Sequence, residues 1–210
     1  MNARLRVPAL LLALPLAACS SLFNVQCTPF TIYSPKLAAP AAQAATARVD
    51  WQLAVETPLA SDALDTVRIV VMPSPGVIEV YPGARWSDSA PALLRNLIVQ
   101  GFERSGRIAG VGSSASGLRA DYALGIALHD FQLEMDGAAH AVIRLQARLL
   151  DYTTNRVLAT QAFSAEAPAA GHDAAAAFAA FETALNQLVP QLVDWTLREG
   201  EVVRAAKKRG

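Results

Sequence analysis

Two periodicities divide the chain. In "VDWQLAVE", Val49, Trp51, Leu53 and Val55 alternate with polar or small neighbours, and "TVRIVVM" follows as a second β-rich run that ends at Pro73 and Pro75. Alternation of period two turns one face of a strand toward a core, so both runs predict strands. "GVIEVY", Gly76 to Tyr81, predicts a short third strand closed by Pro82 and Gly83. The period then changes. Leu94, Leu97, Ile98 and Phe102 share one helical face, which predicts a helix entered through Ser87, Asp88 and Ser89 and stopped by Gly106. Those three residues supply N-cap oxygens, and Pro91 falls in the first turn, where a missing N–H costs least.

The alternating pattern returns further on. Tyr122, Leu124, Ile126 and Leu128 share a face, and beyond the Asp136-Gly137 turn so do Ala141, Ile143, Leu145, Ala147 and Leu149. Counting outward from a two-residue turn pairs Leu128 with Leu145, Ile126 with Ala147 and Leu124 with Leu149, so the apolar faces coincide. The same count pairs His129 with Arg144 and His140 with Leu133. The first of these strands changes phase at His129, because Phe131, Leu133 and Met135 follow the opposite parity. Either a bulge re-aims the tip, or the tip carries apolar side chains on the face away from the core. A further strand is predicted over about Arg156 to Glu166, after the turn at Thr153 to Asn155.

The last element starts at Asp173, a good N-cap, and spaces Phe178, Phe181, Leu185, Leu188, Leu192 and Trp195 by threes and fours. That spacing fits a helix packed on its own sheet or a coiled-coil seam, and Pro190 would kink a long coil. A short edge strand is predicted near Phe30 to Tyr33. The sum is an α+β domain: one mostly antiparallel sheet with two helices packed on it. A unit of about 150 residues, here 48–199, buries enough surface for a core of its own. Residues 200–210 read as a basic tail, and the Pro- and Ala-rich stretch from Ser34 to Arg48 as a loop.

The amino terminus changes the picture. Arg4 and Arg6 precede an apolar run from Val7 to Leu16, followed by Ala17, Ala18 and Cys19. This is the cationic region, apolar region and small-residue site of a secretory signal, expected to occupy residues 1–18. About ten apolar residues make a helix near 15 Å long, half of what a hydrocarbon core of about 30 Å requires. Leu16-Ala17-Ala18-Cys19 resembles the bacterial lipobox, in which the cysteine thiol receives a diacylglycerol and the new amine is acylated; the alternative is a plain signal peptide cut nearby. Ser20, where an aspartate is absent, points by resemblance to bacterial sorting rules toward the outer membrane.

Losing Arg4 and Arg6 leaves 16 basic against 18 acidic side chains. No basic stripe marks a nucleic-acid surface outside the short tail from Arg204 to Arg209. With Cys19 acylated, Cys27 has no partner in the chain, and reads as a buried thiol or an intermolecular pair. The three histidines are scattered without zinc spacing. "GVGSSASG", Gly110 to Gly117, lacks the Lys and Ser/Thr of a phosphate loop and reads as a flexible connection. Asp130, Glu134 and Asp136 would share a face of a regular strand, as paired acids must for acid and base roles, but a solvated face is the simpler account. No catalytic residue, cofactor or metal is therefore expected, and an enzyme acting on envelope substrates is the minor alternative, beside a structural lipoprotein of another envelope machine.

The order of pieces, lipobox, "FTIYSP", strand pair, "ARW" before a helix, "ARLLDYTTNRVLATQAFSAEAP" and "FAAFETALNQLVPQLVDW", resembles the ABC-type transport auxiliary lipoprotein family, of which the C component of the paraquat-inducible system is one type. The resemblance covers nearly the whole mature chain. It implies an outer-membrane lipoprotein, on the periplasmic face, that works with a mammalian-cell-entry (MCE) domain protein and an inner-membrane ABC transporter. It further implies movement of phospholipid or another apolar molecule between the membranes, and assembly into oligomers. Candidate partner contacts are Tyr81, Arg85 and Trp86, with the tip residues Phe131, Leu133 and Met135 behind them, since aromatic and Arg side chains anchor interfaces.

Overall fold

The computed structural model describes residues 29–39 and 48–209, so Cys19, Cys27 and the signal segment lie outside the described residues. The elements run β1 (Thr31–Tyr33), β2 (Val49–Val55), β3 (Arg68–Ser74), β4 (Val77–Trp86), α1 (Ala90–Ser105), β5 (Ile108–Ser113), β6 (Tyr122–Glu134), β7 (His140–Asp151), β8 (Val157–Pro168) and α2 (Ala174–Lys207). Among the described residues they make one eight-stranded sheet and two long helices. The α+β class predicted from the two periodicities is the observed one.

The sheet is built around β6. One edge of β6 carries the long antiparallel ladders to β7 and on to β8. Its other edge is shared between two arms. The start of β6 pairs in parallel with β2, which carries β5, and its end pairs in parallel with β3, which carries β4 and β1. Alternate side chains of β6 and β7, including Leu124, Ile126, Leu128, Leu145, Ala147 and Leu149, join Leu94, Ile98 and Phe102 of α1 and Phe181, Leu185, Leu188 and Leu192 of α2 in a single buried cluster. The two helices pack on each other at Gly101, where an added Cβ would stand 2.6 Å from Val189 Cγ1. Pro190 lies inside α2 on its exposed side.

The core pairings of the hairpin are those predicted, Leu128 with Leu145, Ile126 with Ala147 and Leu124 with Leu149. The tip pairings are not. The ladder skips at His129, so that Arg144 faces Asp130 and His140 faces Glu134, and the connection runs from Met135 to Ala139 instead of being a two-residue turn. The bulge residue and the longer turn offset each other, which is why a count from the wrong turn reached the right core register. Past the extra residue, Phe131 and Leu133 return to the core face at 1% and 0% exposure.

β4 holds the second irregularity. Pro82 and Gly83 do not close the strand. Four residues, Tyr81 to Ala84, stand opposite the single Ile69, and Gly83 takes the left-handed φ of 66° that this bulge requires. The strand then resumes, with Ala84 and Trp86 buried and Arg85 exposed. "GVGSSASG" also departs from expectation: Gly110 to Ser113 complete β5, an edge strand parallel to β2, and only Ser114–Ser116 form a short turn of helix. At α1, Ser89 is the N-cap residue but its side chain makes no capping bond; Ala90 N–H donates instead to Thr66 O at 3.1 Å. Asp173 caps α2 as predicted, accepting from Ala176 N–H at 2.8 Å. α2 runs on through residues 200–207, the start of the stretch that composition marks as a tail.

Candidate functional site

Of the six candidate contacts, the structure buries three. Trp86, at 1% exposure, meets Phe131 and Phe181 edge-on with ring centroids 5.8 and 5.1 Å away, and Phe131 stacks on Phe181 at 5.0 Å. Leu133 is fully buried beside them. Trp86, Phe131 and Leu133 are therefore corrected from surface contacts to core residues. The two bulges supply the reason, because each turns an aromatic side chain inward that a continuous strand or a strand ending at Pro82 leaves outside. Met135 is half-buried against the same cluster. The Tyr81 hydroxyl donates to His172 O at 2.8 Å, and burial followed by the nearby Asp173 charge raises its pKa. Only Arg85 is exposed.

Arg85 belongs to a surface that the sequence pattern did not single out. The pairing of β1, β4 and β3 sets Ile32, Arg85 and Arg68 in one row across three strands. Phe30 lies beside the row, with the Arg85 guanidinium carbon 5.5 Å from its ring centroid. Phe30, Val67, Arg68, Val80, Tyr81 and Arg85 line an open groove there. Phe30 is 60% exposed, Ile32 55% and Val67 39%. The signal in the sequence was the shared parity of Phe30 and Ile32, two large apolar residues just before and within a three-residue edge strand.

The titratable clusters are closed on themselves. On the hairpin, Arg144 sits among three carboxylates: Nη2 reaches Glu166 at 3.0 Å, and Nη1 reaches Asp130 at 3.4 Å and Glu134 at 3.7 Å. Gln132, 4% exposed between the two acids, donates to both at 3.3 Å. Asp136 lies in the connection and does not join them. At the end of α2, Lys207 bonds Asp151 at 2.7 Å, Arg204 pairs with Asp50, and Glu201 accepts the Trp51 indole N–H at 2.8 Å. The bond from Lys207, then those from Thr154, hold the Asp151 carboxyl down to about 2, and the same bond raises the Lys207 pKa. Burial raises the pKa of the neighbouring Tyr122. Among the described residues no group of three or more His, Cys, Asp or Glu is placed to hold a metal ion, and no helix is long and apolar enough to cross a membrane.

Comparison with known proteins places this arrangement. A crystal structure of a Xanthomonas campestris protein superposes with a TM-score of 0.78 at 38% identity, covering 83% of this chain and 99% of that one. A second solved structure, of an uncharacterized protein, shares the fold at a TM-score of 0.57 and 18% identity, over 85% of this chain and 99% of that one. An uncharacterized protein of Bradyrhizobium diazoefficiens is 30% identical over 172 residues, 80% of this chain; the chain spans 44% of that relative's length. The profile of the ABC-type transport auxiliary lipoprotein components matches residues 33–193, from the last residue of β1 to the middle of the final helix, and so takes in both bulges and the whole sheet beyond β1. The chain belongs to the ABC-type transport auxiliary lipoprotein component family.

Proposed function

We propose that this lipoprotein is the outer-membrane auxiliary subunit of an MCE-type ABC transport system that moves phospholipid or another apolar molecule between the inner and outer membranes. Its mature chain begins at an acylated Cys19 and its folded body stands on the periplasmic face. More than one acyl chain is needed for firm anchoring, since a single chain binds only marginally. The observation that carries this reading is the family match over residues 33–193 joined to the Leu16-Ala17-Ala18-Cys19 tetrad ahead of it.

The body is proposed to be non-catalytic and to work by docking, alone or as a homo-oligomer. Arg144 is already matched by three carboxylates and Lys207 by Asp151, so the acids that chemistry would need are engaged in holding strands and helix together.

Affinity purification of the full-length lipoprotein from envelopes in mild detergent, with mass spectrometry of the proteins and lipids that accompany it, tests the reading. It predicts recovery of an MCE-domain protein and the transporter subunits, with phospholipid. Recovery of secretion or pilus components without either would overturn it. An envelope-hydrolase activity lost on Asp130→Asn would overturn the non-catalytic part alone.

A further inference from the structure

The apolar groove between Phe30, β3 and β4 is a feature that the transport reading leaves unused. We propose that Phe30, Ile32 and Val67, with Arg68 and Arg85 beside them, form a bilayer-contact surface that lays this edge of the sheet on the anionic lipid face to which Cys19 is tethered. The inference rests on the acylated-Cys19 reading.

The occupant is chosen by connectivity and charge. Phe30 follows Cys19 by eleven residues, a span of at most about 40 Å even when fully extended. An anchored chain therefore cannot hold this end of the domain far from the lipid. β1 is the first described element after the anchor, and Phe30, which immediately precedes it, lines the groove. Phe30, Ile32 and Val67, three large apolar side chains, stand 39–60% exposed. Inserted at the level of the headgroups, they leave water while their strands stay paired.

The charges fit the same geometry. The groove is lined by two arginines and no carboxylate, in a chain whose mature charge balance is slightly acidic. Arg85 extends over the Phe30 ring, an arrangement in which the aliphatic stem lies along the apolar surface while the guanidinium reaches phosphate oxygens. Apolar depth and basic rim together are the signature of a surface that binds anionic bilayers. A partner protein could use the same apolar residues, and the test separates the two.

The full-length lipoprotein is reconstituted into vesicles of phosphatidylethanolamine and phosphatidylglycerol whose acyl chains are brominated near the headgroup. Phe30→Trp and, separately, Ile32→Trp place an indole in the patch, and Val157→Trp, on the exposed far edge β8, serves as the reference. The native tryptophans are buried and set the background. Emission from position 30 or 32 is expected to fall at least twofold more than that from position 157, and the difference is expected to shrink on Arg68→Ala with Arg85→Ala. Equal quenching at all three positions overturns the surface. So does a blue shift of the patch indole that appears only when the co-purified partner is added, which assigns the groove to protein. Intact mass of the same preparation reports acylation of Cys19 independently, so a missing anchor is distinguished from a misplaced patch.

Discussion

Trp86 and Trp51 are equally hidden, at 1% and 2% exposure, yet opposite ends of the domain hold them by different physics. Around Trp86 the neighbours are Phe131 and Phe181, and cohesion comes from apolar area and ring packing alone. Around Trp51 a single ring, Tyr122, meets the indole edge-on at 5.2 Å, while Glu201, Arg204 and Lys207 tie the last turns of α2 to the indole, Asp50 and Asp151. One end is held mainly by apolar contacts, which do not titrate. The other is closed by charges at a surface, where each pair is worth about 1 kcal/mol or less. The apolar end abuts the exposed groove between Phe30, β3 and β4, so the surface proposed to meet lipid is mounted on the part of the fold that pH affects least.

Phe181→Ala is the largest perturbation of that contrast, at about 3–5 kcal/mol, because it leaves a cavity between Trp86 and Phe131. Urea unfolding is expected to show it, and a stability unchanged within about 1 kcal/mol would mean that ring packing does not hold this end. At the charged end, Gly200→Val is smaller. An added Cβ there would lie 2.4 Å from Trp51 Cζ2, so overpacking of about 1–3 kcal/mol is expected, read as a fall in thermal midpoint. Deleting His129, by contrast, leaves Leu128, Phe131 and Leu133 in regular alternation on the core face and should change stability by less than about 1 kcal/mol.

The smallest effect carries a sign. Asp151 titrates near 2 in the folded chain against an ordinary 3.8, so its contribution is complete above about pH 4 and is lost as pH falls through 2. Asp151→Asn keeps the acceptor for the Thr154 N–H and removes the charge that Lys207 meets. It should cost at most about 1 kcal/mol at neutral pH, since Lys207 is more than half exposed, and nothing below pH 2. A variant whose deficit persists unchanged into acid would show that packing, not charge, closes this end. Phe181→Ala, by contrast, should lose the same stability at both pH values.

The sequence was most legible where a single rule governs. Alternation located β2, β6 and β7, the turn at Thr153 to Asn155 preceded the predicted β8, and the helical spacing with Asp173 located α2, because a buried face imposes its period on the element. It failed where the backbone departs from period. Pro82 and Gly83 read as a stop, yet an edge position tolerates a missing N–H and the chain passes through them by bulging. β5 was hidden because its glycines and serines carry little apolar pattern; it is held by its pairing with β2 and by the buried Ile108. The same departures decide the candidate contacts. Trp86, Phe131 and Leu133 were chosen for chemistry that suits an interface, and that chemistry equally suits a core once two bulges turn them inward. Phe30 and Ile32, just before and within a three-residue strand, make too short a pattern to stand out.

The most direct test is the state of the mature amino terminus in the native cell. The intact mass of the protein extracted from sucrose-gradient membrane fractions should correspond to a chain starting at Cys19 and carrying acyl chains, banding with the outer membrane. A chain recovered from the soluble periplasm with an unmodified thiol at that position would contradict the account.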